Sequence, residues 1–221
     1  FGQRFSSAGN PVGGEFQVNT YTTSHQWYPA VAASALGNFV VVWSSAGQDG
    51  SFDGVFGQRF DFLGNPAGSE FQVNSYTTNY QFRPAVAAGA AGDFVVVWQG
   101  ADQDGSYLGV FGQRFDFVGN PVGSEFQVNS YTTGYQYRPA VAADAAGNFV
   151  VVWQSNFQDG YGHGVFGQRF DLAGNPLGSE FQVNSYTTGQ QQYPAVAEEG
   201  SGNFVVVWSS LGQDGSGFGV F

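Results

Sequence analysis

The chain of 221 residues contains no cysteine, no methionine and no lysine, and only two histidines. The absence of cysteine excludes a disulfide framework and thiol chemistry. His25 and His163 occupy unrelated positions, so neither a Ser-His-Asp set nor a histidine metal centre can be assembled. No phosphate-binding glycine loop is followed by a helix. From these absences we predict that the protein is not an enzyme.

Positive charge is also scarce, since the chain has six arginines against 17 acidic residues and its net charge is −11. A chain with this balance lacks the basic surface that binds nucleic acid or anionic membrane. The sequence shows no membrane-spanning segment and no signal peptide. We therefore expect no nucleic-acid partner and no membrane insertion. The expected partners are glycans or other surface proteins, with self-association as a further option.

No segment shows a sustained apolar period of 3.6 residues, so we predict essentially no helix. Aromatic residues make up 18% of the chain and 34 residues are glycine. Many short strands joined by tight turns would need this much glycine, and the aromatic content is enough for a packed core. The composition therefore indicates an all-β protein.

The chain consists of four 55-residue repeats, at 1–55, 56–110, 111–165 and 166–220. Of the 55 positions, 33 are identical in all four repeats, and no insertion or deletion interrupts the alignment. We interpret residues 1–221 as a single β-repeat domain and expect the variable positions to carry any specificity. The chain begins within a repeat and lacks an initiating methionine, so we expect a processed product or a segment of a longer array.

Each repeat reads as four strands, which in the second repeat are 54–61, 70–74, 84–88 and 94–98. The run Phe94–Trp98 is apolar on both faces and must be covered on both sides. The run Pro84–Ala88 has only small side chains, which suits a crowded inner position. The run Glu70–Asn74 alternates between polar and apolar residues, which suits an outer strand.

This gradient from a small inner strand to an amphipathic outer strand is typical of a β-propeller blade. The predicted order within a blade is PAVAA, FVVVW, GVFGQRF and EFQVN. Residues 1–19 would then complete the sheet formed by 194–208, a Velcro closure that removes open edges. The architectures we consider are a closed four-blade ring of this kind, part of a larger ring, and an open stacked array.

The repeat elements Pro-Ala-Val-Ala, Gly-Asn-Phe-Val-Val-Val-Trp, Gln-Asp-Gly and Gly-Val-Phe-Gly-Gln-Arg-Phe-Asp resemble tandem repeats of large secreted bacterial surface proteins. These are the haemolysin-like, RTX-associated class, and the resemblance covers the whole chain. More loosely, the Asp-Gly loops are similar to those of FG-GAP propellers, which hold calcium. The resemblance implies an extracellular or cell-surface location.

Calcium is the one cofactor that the loops suggest. The candidate ligands are the aspartates of the Gln-Asp-Gly loops and the one additional aspartate at an alternate position: Asp49, Asp102, Asp104, Asp159 and Asp214. Calcium takes about six to eight oxygen ligands, so backbone carbonyls would have to contribute. The competing interpretation is an Asx turn, in which the carboxylate bonds its own backbone ahead of glycine.

The polar connector that precedes each PAVAA strand is the predicted ligand-binding region, because loops at one end of a propeller carry function. Its variable aromatic residues could stack on sugars, and the glutamines beside them could bond hydroxyl groups. The residues concerned are Trp27, Tyr28, Tyr80, Phe82, Tyr135, Tyr137 and Tyr193, with Gln26, Gln81, Gln136 and Gln191.

Two other repeated features have structural interpretations. The tryptophans that end the FVVVW strands, at positions 43, 98, 153 and 208, are predicted to form core between blades. One arginine and one glutamate lie on consecutive strands of every repeat, as Arg59 and Glu70 do in the second repeat. We predict a cross-strand ion pair between them.

Together these features predict a non-enzymatic extracellular scaffold or adhesion module whose repeated loops bind multivalently. The first alternative is a carbohydrate-binding propeller lectin that uses the connector aromatics. The second alternative is a structural repeat of an extracellular fibre.

Overall fold

A computed structural model of the chain describes residues 1–221 and contains strands, turns and loops but no helix. No segment forms a helix with the length and apolar character needed to cross a membrane. The strands are β1 Gly2–Phe5, β2 Pro11–Phe16, β3 Gln26–Ala33, β4 Phe39–Ala46, β5 Asp53–Phe60, β6 Phe71–Gln72, β7 Gln81–Ala88, β8 Phe94–Ala101, β9 Leu108–Phe115, β10 Pro121–Gln127, β11 Gln136–Ala143, β12 Phe149–Asn156, β13 His163–Phe170, β14 Phe181–Gln182, β15 Gln191–Glu198, β16 Phe204–Leu211 and β17 Phe218–Val220.

The strands form antiparallel blades around a central axis, as in a four-bladed β-propeller. Blade 1 is β3-β4-β5-β6, blade 2 is β7-β8-β9-β10, blade 3 is β11-β12-β13-β14, and blade 4 contains β15-β16-β17. The first strands of successive blades lie beside one another, so the PAVAA strands are innermost. The all-β class, the four-strand repeat and the predicted strand order are confirmed.

The inner strands are longer than the sequence predicts. Strand β7 begins at Gln81, three residues before Pro84, because the sheet accommodates the proline with a bulge. A proline removes a ladder hydrogen bond, which an edge strand with a bulge tolerates. The predicted outer strand 70–74 is shorter than expected, since β6 spans only Phe71–Gln72.

The core lies between blades, and the FVVVW strands supply most of it. Alternate residues of β8 face opposite neighbours: Val96 and Trp98 belong to the cluster shared with blade 1, whereas Val95 and Val97 belong to the cluster shared with blade 3. All four side chains are buried, and each contributes about 1.5–3 kcal/mol relative to an exposed position. The prediction of core between blades is confirmed for Trp98 and Trp153, whereas Trp208 is only partly buried.

The two ends of the chain form separate sheets. Strand β1 pairs with β2 alone, and this segment packs on blade 1 through Phe16 of β2 and through Val18, which follows β2. Strand β17 pairs only with Ser209–Leu211, and neither β1 nor β2 pairs with β15 or β16, so the predicted Velcro pairing of 1–19 with 194–208 is not formed. The outward face of blade 4 is therefore uncovered: Val205 is 60% exposed, whereas Val95, its equivalent in blade 2, is 4% exposed.

The predicted cross-strand ion pair between arginine and glutamate is wrong. Arg59 donates to the carbonyl of Phe117 in the following repeat and to that of Ala67 in its own turn. Glu70 accepts hydrogen bonds from the backbone N–H and the hydroxyl of Thr20 in the preceding repeat. Both side chains are long enough to reach the neighbouring repeat, so the pair links successive units instead of bridging one blade.

Candidate functional site

The inner strands all begin at one end of the propeller, which we call the top. Each inner strand has a bulge there, and the bulged residue adopts a left-handed backbone with φ between 51° and 57°. The four residues are Tyr28, Arg83, Arg138 and Tyr193. Every one precedes a proline, where side-chain crowding already restricts the backbone. Such a conformation costs about 1–3 kcal/mol and is typical of functional sites.

These bulges direct four side chains to a common cavity at the axis. This axial cavity has a volume of about 310 Å³ and is lined by the four bulged residues and the four prolines that follow them, Pro29, Pro84, Pro139 and Pro194. Equivalent positions of all four repeats therefore meet here, although they are 55 residues apart in sequence. No carboxylate lines the cavity.

Each arginine of the axial cavity stacks on a tyrosine. The Arg83 guanidinium lies 4.3 Å from the ring centroid of Tyr28, and Arg138 lies 4.1 Å from that of Tyr193. Arg83 also donates a hydrogen bond of 3.2 Å to the Tyr28 hydroxyl. These cation–π contacts hold both guanidinium planes in place.

A second depression, the aromatic groove, lies at the top of blades 1 and 2 and reaches the start of blade 3. Its volume is about 470 Å³. It is lined by Trp27, Tyr28, Asp53, Tyr80, Phe82, Ala101, Asp102, Tyr107, Leu108 and Tyr135. Tyr28 lines the axial cavity as well, so the two depressions adjoin.

The rings of the groove are ordered by contacts with one another. Tyr107 stacks on Tyr135 with centroids 4.9 Å apart, and Tyr80 meets Phe82 edge to face at 6.2 Å. Trp27, Tyr80 and Tyr135 remain 37–44% exposed. The structure thus gathers five of the seven predicted aromatic residues into one groove with accessible ring faces.

Two carboxylates lie among these rings. Asp53 is almost fully buried, and burial raises the pKa of its carboxyl group, with a further contribution from the charge of Asp49. Asp102 is exposed and accepts a hydrogen bond of 3.0 Å from the Asn79 side chain. The groove therefore combines apolar surface with two polar groups, as small-molecule sites do.

Tyr137 lies outside the groove and has a packing role. Its hydroxyl accepts a hydrogen bond of 2.8 Å from Gln154 and lies 3.3 Å from a ring nitrogen of His163. Burial raises the pKa of the Tyr137 hydroxyl and, followed by the charge of Arg138, lowers the pKa of His163. The remaining predicted aromatic residue, Tyr193, lines the axial cavity.

The predicted role of the connector glutamines is wrong. Gln81, Gln136 and Gln191 are completely buried and donate to connector carbonyls, as Gln81 does to Thr78. Gln26 is partly exposed, and its amide bonds the carbonyls of Thr23 and Ser24. A glutamine is present at this position in every repeat because it closes the connector, and its amide is not presented to a ligand.

The aspartates of the Gln-Asp-Gly loops form Asx turns. In each loop the carboxylate of Asp49, Asp104, Asp159 or Asp214 accepts a hydrogen bond from the backbone N–H two residues further on. The structure contains no group of three or more acidic, histidine or cysteine side chains that could hold a metal ion. Calcium binding by these loops and by Asp102 stays a prediction.

Among the charged and aromatic residues that line the two depressions, four were not predicted: Asp53, Arg83, Tyr107 and Arg138. All four stand at positions that vary between repeats, and that variability was the available signal. Position 28 of the repeat is Tyr, Arg, Arg and Tyr in the four repeats. Its two arginines were missed because only aromatic residues were considered as stacking groups. Asp53 and Tyr107 follow the Asp-Gly loops, and nothing in the sequence places those loops beside the connectors.

Comparison with known proteins identifies the fold. No protein-family model matches the sequence, and no significant match is found among curated proteins. A Dyadobacter fermentans protein of unknown function has a similar structure, with a TM-score of 0.64, 11% identity, and coverage of 92% of this chain and 61% of that one. An α-L-arabinanase from Penicillium chrysogenum complexed with arabinobiose has a TM-score of 0.57 and 15% identity, with coverage of 91% of this chain and 63% of that one. An endo-arabinase from Bacteroides thetaiotaomicron has a TM-score of 0.54 and 11% identity, with coverage of 96% of this chain and 80% of that one.

These similarities support the β-propeller and correct three predictions. They do not support the predicted resemblance to RTX-associated surface repeats or to FG-GAP propellers. They overturn the prediction of a non-enzymatic scaffold or adhesion module, and with it the prediction that the protein is not an enzyme. The reason is that the fold is shared with enzymes that act on carbohydrates.

Proposed function

We propose that this protein binds carbohydrate and holds sugar rings in the aromatic groove at the top of blades 1 and 2. The observation that carries the proposal is a groove of about 470 Å³ whose lining is mainly aromatic and includes two carboxylates. The apolar faces of sugar rings stack on aromatic rings, while their hydroxyl groups need a few hydrogen-bonding partners. The groove supplies both kinds of contact.

Differences between repeats support a role other than packing for these rings. The fourth repeat has Gln190 and Gln192 where the second has Tyr80 and Phe82. Its inner strand forms with the same register and the same bulge. Since the fold does not require aromatic residues at these positions, their concentration in one groove favours ligand binding.

A glycan array tests the proposal. The unaltered protein is compared with the double variant Y80Q/F82Q, which carries the residues of the fourth repeat. The matched control is Y161S, which removes an exposed aromatic side chain outside the groove and restores the serine of the other three repeats. We expect Y80Q/F82Q to lose about tenfold or more of the affinity for any glycan that binds, because aromatic contacts dominate such sites.

The Y161S variant should bind as the unaltered protein does, and both variants should keep its thermal unfolding midpoint. Absence of binding by an intact, folded sample across a broad array would contradict the proposal. Equal affinity of Y80Q/F82Q and the unaltered protein would place the glycan elsewhere.

A second candidate function, glycoside hydrolysis, is favoured by the two carboxylates of the groove. Many glycosidases use one carboxyl group that keeps its proton and a second that is ionised. Asp53 suits the first role because burial raises its pKa. It would donate a proton to the leaving glycosidic oxygen while Asp102 assists the attack of water or itself attacks the anomeric carbon.

Release of reducing ends tests this candidate. Arabinan and xylan are suitable first substrates, followed by any glycan identified on the array. Hydrolysis that disappears in both D53N and D102N but persists in D214N would support it, because Asp214 lies in a Gln-Asp-Gly loop outside the groove. Binding without any release of reducing ends would leave carbohydrate binding alone as the function.

A further inference from the structure

We propose that the axial cavity binds an oxyanion carried by a sugar, either the carboxylate of a uronic acid or a sulfate ester. This inference rests on the proposed function and specifies the class of glycan. A ligand whose neutral rings occupy the aromatic groove would extend its anionic group past Tyr28 to the axis, since Tyr28 lines both depressions.

The first argument is uncompensated positive charge. The chain has a net charge of −11 and only six arginines, yet two of them line this one cavity, and no carboxylate does. Three others, Arg4, Arg59 and Arg114, donate to backbone carbonyls of the following repeat. Arg83 and Arg138 have no such partners, so they remain available for an anion.

The second argument is the geometry of the guanidinium groups. Both are held by stacking on tyrosine rings at 4.1–4.3 Å, which engages the face of the guanidinium plane and leaves N–H donors at its edge. Only one of these donors, from Arg83 to Tyr28, makes a side-chain hydrogen bond. Guanidinium edges match the oxygens of carboxylate and sulfate groups, and a fixed plane loses little entropy on binding.

The third argument is the conformation of the backbone. All four residues have a left-handed φ immediately before proline. The backbone N–H of Arg83 is bonded to the Ser44 hydroxyl, and that of Arg138 to the Gln99 side chain, each from the preceding repeat. Contacts between blades thus maintain a conformation that the chain disfavours, and its effect is to direct these side chains to the axis.

The experiment compares ligands that carry an anionic group with one that does not. Three ligands are titrated by calorimetry into the unaltered protein: a galacturonic acid tetramer, its methyl ester, and a tetramer of an uncharged sugar that carries a sulfate ester. They are also titrated into R83Y/R138Y, which carries the tyrosine of the first and fourth repeats at positions whose φ is the same. We expect an anionic tetramer to bind about tenfold or more tightly than the ester, with an affinity that falls as salt increases.

In R83Y/R138Y the anionic ligand and the ester should bind equally, and the anionic preference should persist in Y161S. A preference for only one of the two anions would identify which oxyanion the cavity accepts. Equal affinity of the unaltered protein for charged and neutral tetramers would overturn the inference while leaving carbohydrate binding intact. Failure of every tetramer to bind would contradict it as well, and the array would show whether carbohydrate binding fails with it. The comparison of charged and neutral tetramers uses the unaltered protein alone, so it tests the proposed oxyanion site even if R83Y/R138Y does not fold.

Discussion

Replacing Glu198 with alanine should stabilise the protein at neutral pH and leave its stability unchanged in acid. The other three repeats have alanine at this position, so the substitution is compatible with the fold. Burial, and then the charge of Asp144, raise the pKa of Glu198 from 4.5 to about 7. One of its carboxylate oxygens is buried and has no hydrogen-bond partner.

The sign of the effect follows from proton binding. The folded state holds a proton on Glu198 up to about pH 7, whereas the unfolded state releases it near pH 4.5. Stability is therefore lost as pH rises from 4.5 to 7. At 1.36 kcal/mol for each pKa unit the loss would be about 3.4 kcal/mol. The side chain is partly exposed, and solvent screening reduces the expected value to about 1–2 kcal/mol.

Urea unfolding at pH 4 and at pH 8 measures this difference. The E198A variant should be more stable than the unaltered protein by about 1–2 kcal/mol at the higher pH, and the two should agree at the lower pH. The control is E199Q, since hydrogen bonds from Asn203 and Ser201 lower the pKa of Glu199 and predict the opposite sign. An E198A effect of equal size at both pH values would refute the reasoning.

Two further predictions concern the contacts between repeats and the Gln-Asp-Gly loops. The E125Q variant should lose about 1–3 kcal/mol of stability, because Glu125 accepts hydrogen bonds from Ser75 and Gln103 of other segments. Glu15 is exposed and makes no such bond, so E15Q should unfold at the same urea concentration as the unaltered protein. Millimolar calcium should raise the thermal unfolding midpoint if the loops bind it, and a midpoint identical in calcium and in chelator would remove that prediction.

The architecture was predictable because the same strand pattern recurs in all four repeats. A doubly apolar run such as Phe94–Trp98 must lie between two layers, and a short run of small residues suits the crowded axis. The contacts of Arg59 and Glu70 were not predictable in the same way. Sequence proximity identifies partners within one blade, whereas both side chains reach a neighbouring repeat.

The candidate site was predictable only in part. The connector aromatics Trp27, Tyr80 and Tyr135 were identified because they vary between repeats and lie in a polar segment. Arg83 and Arg138 were missed because the bulge that directs them to the axis is a property of the folded sheet. An arginine before proline in an inner strand carries no sequence mark of a left-handed backbone.

The most direct test of the central claim uses tryptophan fluorescence. Trp27 is the one tryptophan in the aromatic groove, while Trp43, Trp98 and Trp153 are buried in the core. Titration with a glycan identified on the array should produce a saturable change in emission. The W27F variant, which carries the residue of the second repeat, should lose that change. An unchanged signal and affinity in W27F would contradict carbohydrate binding in this groove.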